Sequence, residues 1–181
     1  MARTASITQD TILQVAFELL QSEGGKAVSA RKLATRANCS TQPIFRVFKN
    51  MDELSANLFS MALNHFESFY LAYPQKSSLP FVNLGMAYIR FAMENKHLFA
   101  LLFVADERHG KTLYDILSGK EGNVAKELTK AKADGCADPA GMFSKMWMVI
   151  HGAACMSMTG DFDLNETETR KLLEESYQAF S

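Results

Sequence analysis

An all-α protein is the reading that three features of this 181-residue sequence support. Apolar residues recur at helical spacing along most of its length. Glycine and proline punctuate them at intervals that suit helix ends, and no alternating strand pattern of useful length occurs. The length is enough for one or two domains with sizeable cores. About nine helices are predicted, divided between a head of residues 1–50 and a body of residues 51–181. Charge follows the same division: the head carries seven Lys and Arg against three acids, a balance of +4, and the body carries −5. A basic head on an acidic body implies that only the head meets a polyanion.

The first helix is predicted from Thr8 to Glu23. It has Ile12, Val15, Ala16, Leu19 and Leu20 on one face, and Gly24-Gly25 ends it. Arg3 and Thr4 precede it as a short arm within reach of a phosphate. Next, in VSARKLATRANCSTQPIFRVFKNMDEL (28–54), Ser29 caps a helix bearing Leu33, Ala34 and Ala37. Asn38 stops it, because Asn tolerates the left-handed conformation of a helix exit. Ser40 is the expected cap of the following helix, with Ile44, Phe45 and Phe48 inward and Thr41, Gln42 and Arg46 outward. Two helices joined by three or four residues, the second amphipathic with a polar tip, make a helix-turn-helix able to read DNA. Asn50-Met51-Asp52-Glu53 then resembles a capping box. It opens a long helix through Leu54, Leu58, Met61, Leu63, Phe66 and Phe69 to about Tyr73, where Pro74 stops it.

The body is richer in Met and Phe. Helices are predicted over Leu79–Glu94, with Pro80 in the first turn, and near His97–Val104. After the polar run Asp106–Gly110 comes a helix broken at Gly119–Gly122 and continuing to about Ala133. Gly135–Gly141 is a loop, followed by an apolar helix over Met142–Thr159 and an amphipathic one over about Glu166–Phe180.

Several function classes are disfavoured. Cys39, Cys136 and Cys155 have no paired spacing, and no secretory signal pattern is present, so a reducing cytoplasm is expected. Met142–Met158 is the most apolar stretch, but Lys145 and His151 interrupt it and it is too short for an untilted span, so no membrane is expected. There is no internal repeat, no low-complexity tract and no Rossmann or P-loop glycine pattern. No cofactor or metal site is expected.

With these residues laid out, the chain resembles the TetR family of transcriptional regulators. The likeness over residues 8–58 rests on Ala16, Leu19, Gly25, Ser29, Leu33-Ala34, Ala37, Ser40, Phe45, Phe48 and Leu54. A looser one runs through Ala87-Tyr88, Arg90-Phe91-Ala92 and Trp147 with His151-Gly152, and is similar to the subgroup named for its Trp-His-Gly motif. Three positions depart from the family pattern: Asn38 for the turn Gly, Met51 for a Lys that helps hold DNA, and Pro43 inside the recognition helix. Pro43 costs no intrahelical bond there but disfavours helical geometry at Gln42.

The resemblance implies a recognition helix in the major groove of a palindromic double-stranded operator. Thr41, Gln42 and Pro43 would be its base-reading tip and Arg46 would lie one turn on. Ser29, Arg31, Lys32, Ser40 and Lys49 would position the phosphate backbone. Phe45 stands where the family's Tyr reaches a phosphate, and packing is the reading preferred for it. A homodimer is implied, formed through Met142, Met146, Val149, Ile150, Ala153 and Met156 with Leu172, Leu173, Tyr177 and Phe180. A pocket for a hydrophobic or aromatic small-molecule effector is expected among Phe81, Leu84, Tyr88, Phe91, Phe99, Leu102, Phe103, Trp147, Met148 and His151. The effector would release a repressor from its operator.

Two rival classes deserve comparison. His151 and Cys155 share a helix face, and Asp106, Glu107 and His109 share a loop, so either group suggests metal or nucleophile chemistry. No second motif accompanies them, and a pocket histidine and a solvated turn are the expected readings. Cys39 or Cys155 as a thiol sensor is a variant of this alternative. The other rival is a helical interaction module with weakened DNA binding, which Met51 and Phe45 suggest.

Overall fold

The computed structural model describes residues 7–180, so the Arg3-Thr4 arm lies outside the described residues. Ten α-helices and no strand occur among those residues, an all-α fold with one helix more than the sequence led us to expect. The described residues form two compact units, 7–65 with 97–110 and 66–96 with 111–180.

The first unit opens with α1, Gln9–Glu23. Thr8 caps it, its hydroxyl accepting from the Thr11 amide at 3.2 Å, and Ile12, Ala16, Phe17, Leu19 and Leu20 are buried. Gly24 ends it at φ +84°, a conformation that only glycine adopts freely. After a 3₁₀ turn at Gly25–Ala27 comes α2, Ala30–Arg36, where the Ser29 hydroxyl accepts from the Lys32 amide as expected. Asn38 takes φ +50°, and the Cys39 amide donates back to the Ala34 carbonyl at 2.9 Å.

Helix α3, Gln42–Val47, departs from expectation in three ways. Residues 37–41 form a five-residue connection, longer than predicted, and Ser40 is not the cap. Thr41 holds that place in helical geometry without a side-chain cap bond. Gln42 is helical in spite of the following proline. Phe45 is 49% exposed rather than inward. Ile44 and Phe48, four apart, define the buried stripe, and Phe45 lies about 100° round the helix from Ile44.

Helix α4, Met51–Ala72, is capped by Asn50, whose side-chain oxygen accepts from the Glu53 amide at 2.9 Å. The expected capping box is offset by one residue, since Glu53 reaches back to the Lys49 amide. Leu54, Leu58, Phe59 and Ala62 are buried. Helix α6, Lys96–Phe99, runs into a π-helical turn, Ala100–Val104, and buries Leu98, Phe99, Leu102 and Phe103. His97 fastens this segment to α1 through Nδ1, 2.9 Å from the Gln21 carbonyl oxygen.

The second unit is built on α5, α9 and α10. Helix α5 begins at Val82, three residues later than expected, because Phe81 takes φ +64° and leaves Pro80 outside. The buried Glu127 carboxylate accepts the Phe81 amide, and buried Asn83 accepts the amides of Lys76 and Ser77, so side chains hold the turn. Helix α7, Leu113–Ser118, has a complete capping box between Thr112 and Asp115. Helix α8, Asn123–Ala133, follows the Gly119–Gly122 break. Helix α9, Pro139–Thr159, starts earlier than predicted because Asp138 caps it and proline suits a first turn. Helix α10 covers Glu166–Phe180 as expected. A Cβ on Gly85 would stand 2.8 Å from side-chain carbons of Ile150 and Leu173, so this glycine lets α5, α9 and α10 converge.

Candidate nucleic-acid interface

The helix-turn-helix separates its anchors from its readers by helical phase alone. Ile44 and Phe48 are buried at 0% and 1% exposure, which fixes the rotation of α3. Thr41, Gln42, Phe45 and Arg46 are then turned to solvent, and Pro43 is half-buried. Ser29, Arg31, Lys32, Ser40 and Lys49 are exposed as well, so every described residue expected to touch DNA is at the surface or partly so. Met51, where the family's lysine would stand, is half-buried and brings no charge to the start of α4.

The basic residues differ in how they are held. Lys32 Nζ lies 2.6 Å from a Glu23 carboxylate oxygen, and Arg36 lies 3.7 Å from the other. The hydrogen bond and charge of Lys32 hold the Glu23 carboxyl below the usual carboxylate range. Both groups are exposed, so a phosphate can replace this weak pair. Glu23 was not legible as a partner, because it sits nine residues from Lys32 on another helix.

The residues expected to line an effector pocket are divided between the two units. Phe99, Leu102 and Phe103 belong to the first unit, where Phe99 and Phe103 contact each other with centroids 5.1 Å apart. The other seven belong to the second unit. Phe81, Leu84, Tyr88 and Phe91 are fully buried, Trp147 and His151 are half-buried, and Met148 is 68% exposed. Tyr88 meets the Trp147 ring edge at 4.8 Å, and Phe91 meets Phe66 at 5.0 Å. A cavity of about 270 Å³ in this unit is lined instead by Tyr73, Met86, Ile89, Arg90, Met93, Leu164, Asn165, Glu166 and Thr169. A more open hollow of about 390 Å³ in the first unit lies among Gly24, Gly25, Lys26, His97, Ala100, Leu101, Val104 and Ala105. Sequence periodicity marks residues that pack and does not mark where packing leaves space.

The expected pairing residues divide likewise. Met142, Met146, Ile150, Ala153, Leu173 and Tyr177 are buried within the single chain, so they fill its own core. Val149, Leu172 and Phe180 are half-buried and Met156 is 47% exposed. The Asp106–His109 loop is a turn tied internally, with Glu107 accepting the His109 amide at 2.7 Å and the His109 ring against Phe59. Cys39 is half-buried in the turn after α2.

Comparison with known proteins agrees with this architecture. A family model described as "Bacterial regulatory proteins, tetR family" matches residues 12–58. Another, described as "Tetracyclin repressor-like, C-terminal domain", matches residues 81–180, more than half the chain. No curated protein matches significantly. Among solved structures, a protein described as a TetR-family transcriptional regulator from Vibrio parahaemolyticus is 16% identical. That match covers 94% of this chain and 97% of that one, with a TM-score of 0.66. A TetR-family regulator from Rhodococcus sp. is 15% identical over 95% of this chain and 98% of that one, with a TM-score of 0.62. A TetR variant from Acinetobacter baumannii in complex with minocycline is 15% identical over 96% of each chain, with a TM-score of 0.60. At these identities the structural likeness concerns the fold, and the two family models carry the assignment. The chain belongs to the TetR family of transcriptional regulators.

Proposed function

We propose that this protein is a dimeric repressor that binds a palindromic operator in the cytoplasm and leaves it on binding a hydrophobic small molecule. The observation that carries the DNA-binding part is the phase of α3. Its two apolar anchors are buried while Gln42, Phe45 and Arg46 are presented outward together. In this reading Gln42 makes paired hydrogen bonds to an adenine edge and Arg46 reads guanine or holds a phosphate. Pro43 and the exposed Phe45 give apolar contact, for example to thymine methyl groups. Ser29, Arg31, Lys32, Ser40 and Lys49 set the register on the backbone. Function divides at about residue 50, with DNA reading before it and pairing and effector binding after it. The Trp147-His151-Gly152 constellation on α9 supports placement in the Trp-His-Gly subgroup.

Pairing is supported by the outer face of α9, where Met148 and Met156 are exposed, together with Leu172 and Phe180 of α10. Two half-sites read by a two-fold dimer would give the affinity that one six-residue recognition helix lacks. Effector binding is supported by the mixed apolar and polar cavity beside α5.

The decisive experiment is anisotropy titration of a fluorescent duplex taken from the region upstream of the protein's own gene. Saturable binding is expected, resistant to nonspecific competitor DNA and weakening steeply with salt. Binding indistinguishable from that to a scrambled duplex sinks the reading and favours a helical interaction module. Sedimentation showing only monomer at micromolar concentration removes the dimer.

A further inference from the structure

Helix α9 carries a chemical grouping that DNA reading leaves unused. His151 and Cys155 stand four residues apart, both half-buried, with Cys155 Sγ 3.5 Å from His151 Nε2. On the other side of the ring, Nδ1 lies 2.9 Å from the hydroxyl oxygen of Tyr88, which is fully buried on α5. Trp147 stacks on the imidazole, with centroids 5.4 Å apart and planes at 21°. The ring is therefore held in place and in rotation. With the proton on Nδ1, His151 donates to the Tyr88 oxygen, and Nε2 keeps its lone pair facing the thiol. An oxygen partner on the remote nitrogen is how metal-binding imidazoles are oriented.

The separation of the two donor atoms has a metal's dimensions. Zinc–nitrogen bonds of ~2.0–2.1 Å and zinc–sulfur bonds of ~2.3 Å, at a tetrahedral angle, put the ligand atoms about 3.5 Å apart. The Nε2–Sγ distance of 3.5 Å, that of a thiol–imidazole hydrogen bond, equals this separation. Among the described residues, no group of three or more His, Cys, Asp or Glu is placed to hold a metal within one chain. Two further donors must come from elsewhere. Around these residues α9 is open to close approach: nothing lies within 4 Å of where a Cβ on Gly152 would stand, and Met148 and Met156 flank it exposed. An isologous contact whose two-fold axis passes beside Gly152 brings His151 and Cys155 of two chains together.

We propose that His151 and Cys155 are half of a tetrahedral site for a thiophilic divalent cation such as Zn²⁺, completed by the same pair from a second copy of this chain. This rests on the dimer reading given above. On binding, the metal–sulfur bond forms as the S–H bond breaks and the proton leaves to solvent. Metal binding and pairing are then linked, each strengthening the other. Tyr88 is a positioning residue.

The test uses the full, reduced chain freed of metal by chelation and titrated with Co²⁺ as the probe. The expected result is intense tetrahedral d–d absorption and a sulfur-to-cobalt charge-transfer band. Both should saturate at one Co²⁺ per two chains and be displaced by Zn²⁺. Cys155→Ser removes the charge-transfer band and His151→Ala removes the tetrahedral spectrum. Tyr88→Phe keeps both bands but weakens Co²⁺ about 10–100-fold. Absence of the charge-transfer band, a band that survives Cys155→Ser, or saturation at one ion per chain overturns the proposal. Sedimentation in excess chelator separates the two readings. A dimer there without a cobalt spectrum overturns the metal site alone, whereas a monomer with and without Co²⁺ overturns both.

Discussion

Helices α3 and α5 treat their apolar residues in opposite ways. In α3 one residue of six is buried, Ile44, with Phe48 just beyond the helix as a second anchor. In α5 ten of thirteen are buried, including Asn83 and Gly85, and there is almost no solvent face. A helix anchored at two points and exposed elsewhere is free to vary its outer residues at little cost to stability. A helix enclosed on nearly all sides has no such freedom, because each side chain is matched to its neighbours. Sequence reading should accordingly live on the first kind of helix, and structural integrity on the second.

Four measurements break or sharpen that contrast. The largest effect is expected at Phe91, fully buried on α5 against Phe66 and Phe69. Phe91→Ala should cost about 3–5 kcal/mol in denaturant unfolding. A loss near zero would mean that α5 is far less tightly enclosed than its burial indicates. Next comes Gln42→Ala on α3. Stability should stay within about 0.5 kcal/mol, while discrimination between operator and mismatched DNA drops by about 1–3 kcal/mol. Unchanged operator affinity at unchanged stability would remove Gln42 from base reading.

A smaller change is expected where α4 begins. Asn50→Ala deletes the oxygen that accepts the Glu53 amide, and should lower stability by about 1 kcal/mol. Asn50→Asp keeps an acceptor and should stay close to the parent in the same unfolding assay. The smallest effect at neutral pH lies on the buried side of the second unit. Burial, reinforced by the Glu127 carboxylate, pushes the Tyr70 phenol up to about 12 from its ordinary value of 10. The folded state therefore holds this proton more tightly than the unfolded chain does. Its contribution is fully present below pH 10 and is lost as pH rises through 12. Tyr70→Phe should be nearly silent at pH 7 and should flatten the decline in melting temperature between those values. An unchanged decline would assign it to other groups.

The legible parts of the fold are those that depend on near neighbours in sequence. Ser29 as a cap, the left-handed Asn38, the Gly119–Gly122 break and the span of α10 all follow from residues three or four positions apart. Misreadings arose where a distant group intervened or where helical phase turned on one residue. Phe81 gives its amide to Glu127, forty-six positions away, and α5 starts late as a consequence. Phe45, an aromatic beside Ile44, reads as inward, yet the phase set by Ile44 and Phe48 turns it out. The expected pocket residues are strongly apolar, and the structure uses several of them as solid core.

By itself the sequence determined the helical class, the helix-turn-helix and, Phe45 apart, the residues that face outward from it. Caps, turn residues and periodicity act over one or two turns and leave their record in adjacent positions. Only the tertiary structure decided that Glu23 holds Lys32, that Tyr88 orients His151 toward Cys155, and that the cavity lies beside Tyr73 and Arg90. Those arrangements depend on which helices meet and at what separation. That is set by packing among residues far apart in the chain, and no local pattern encodes it.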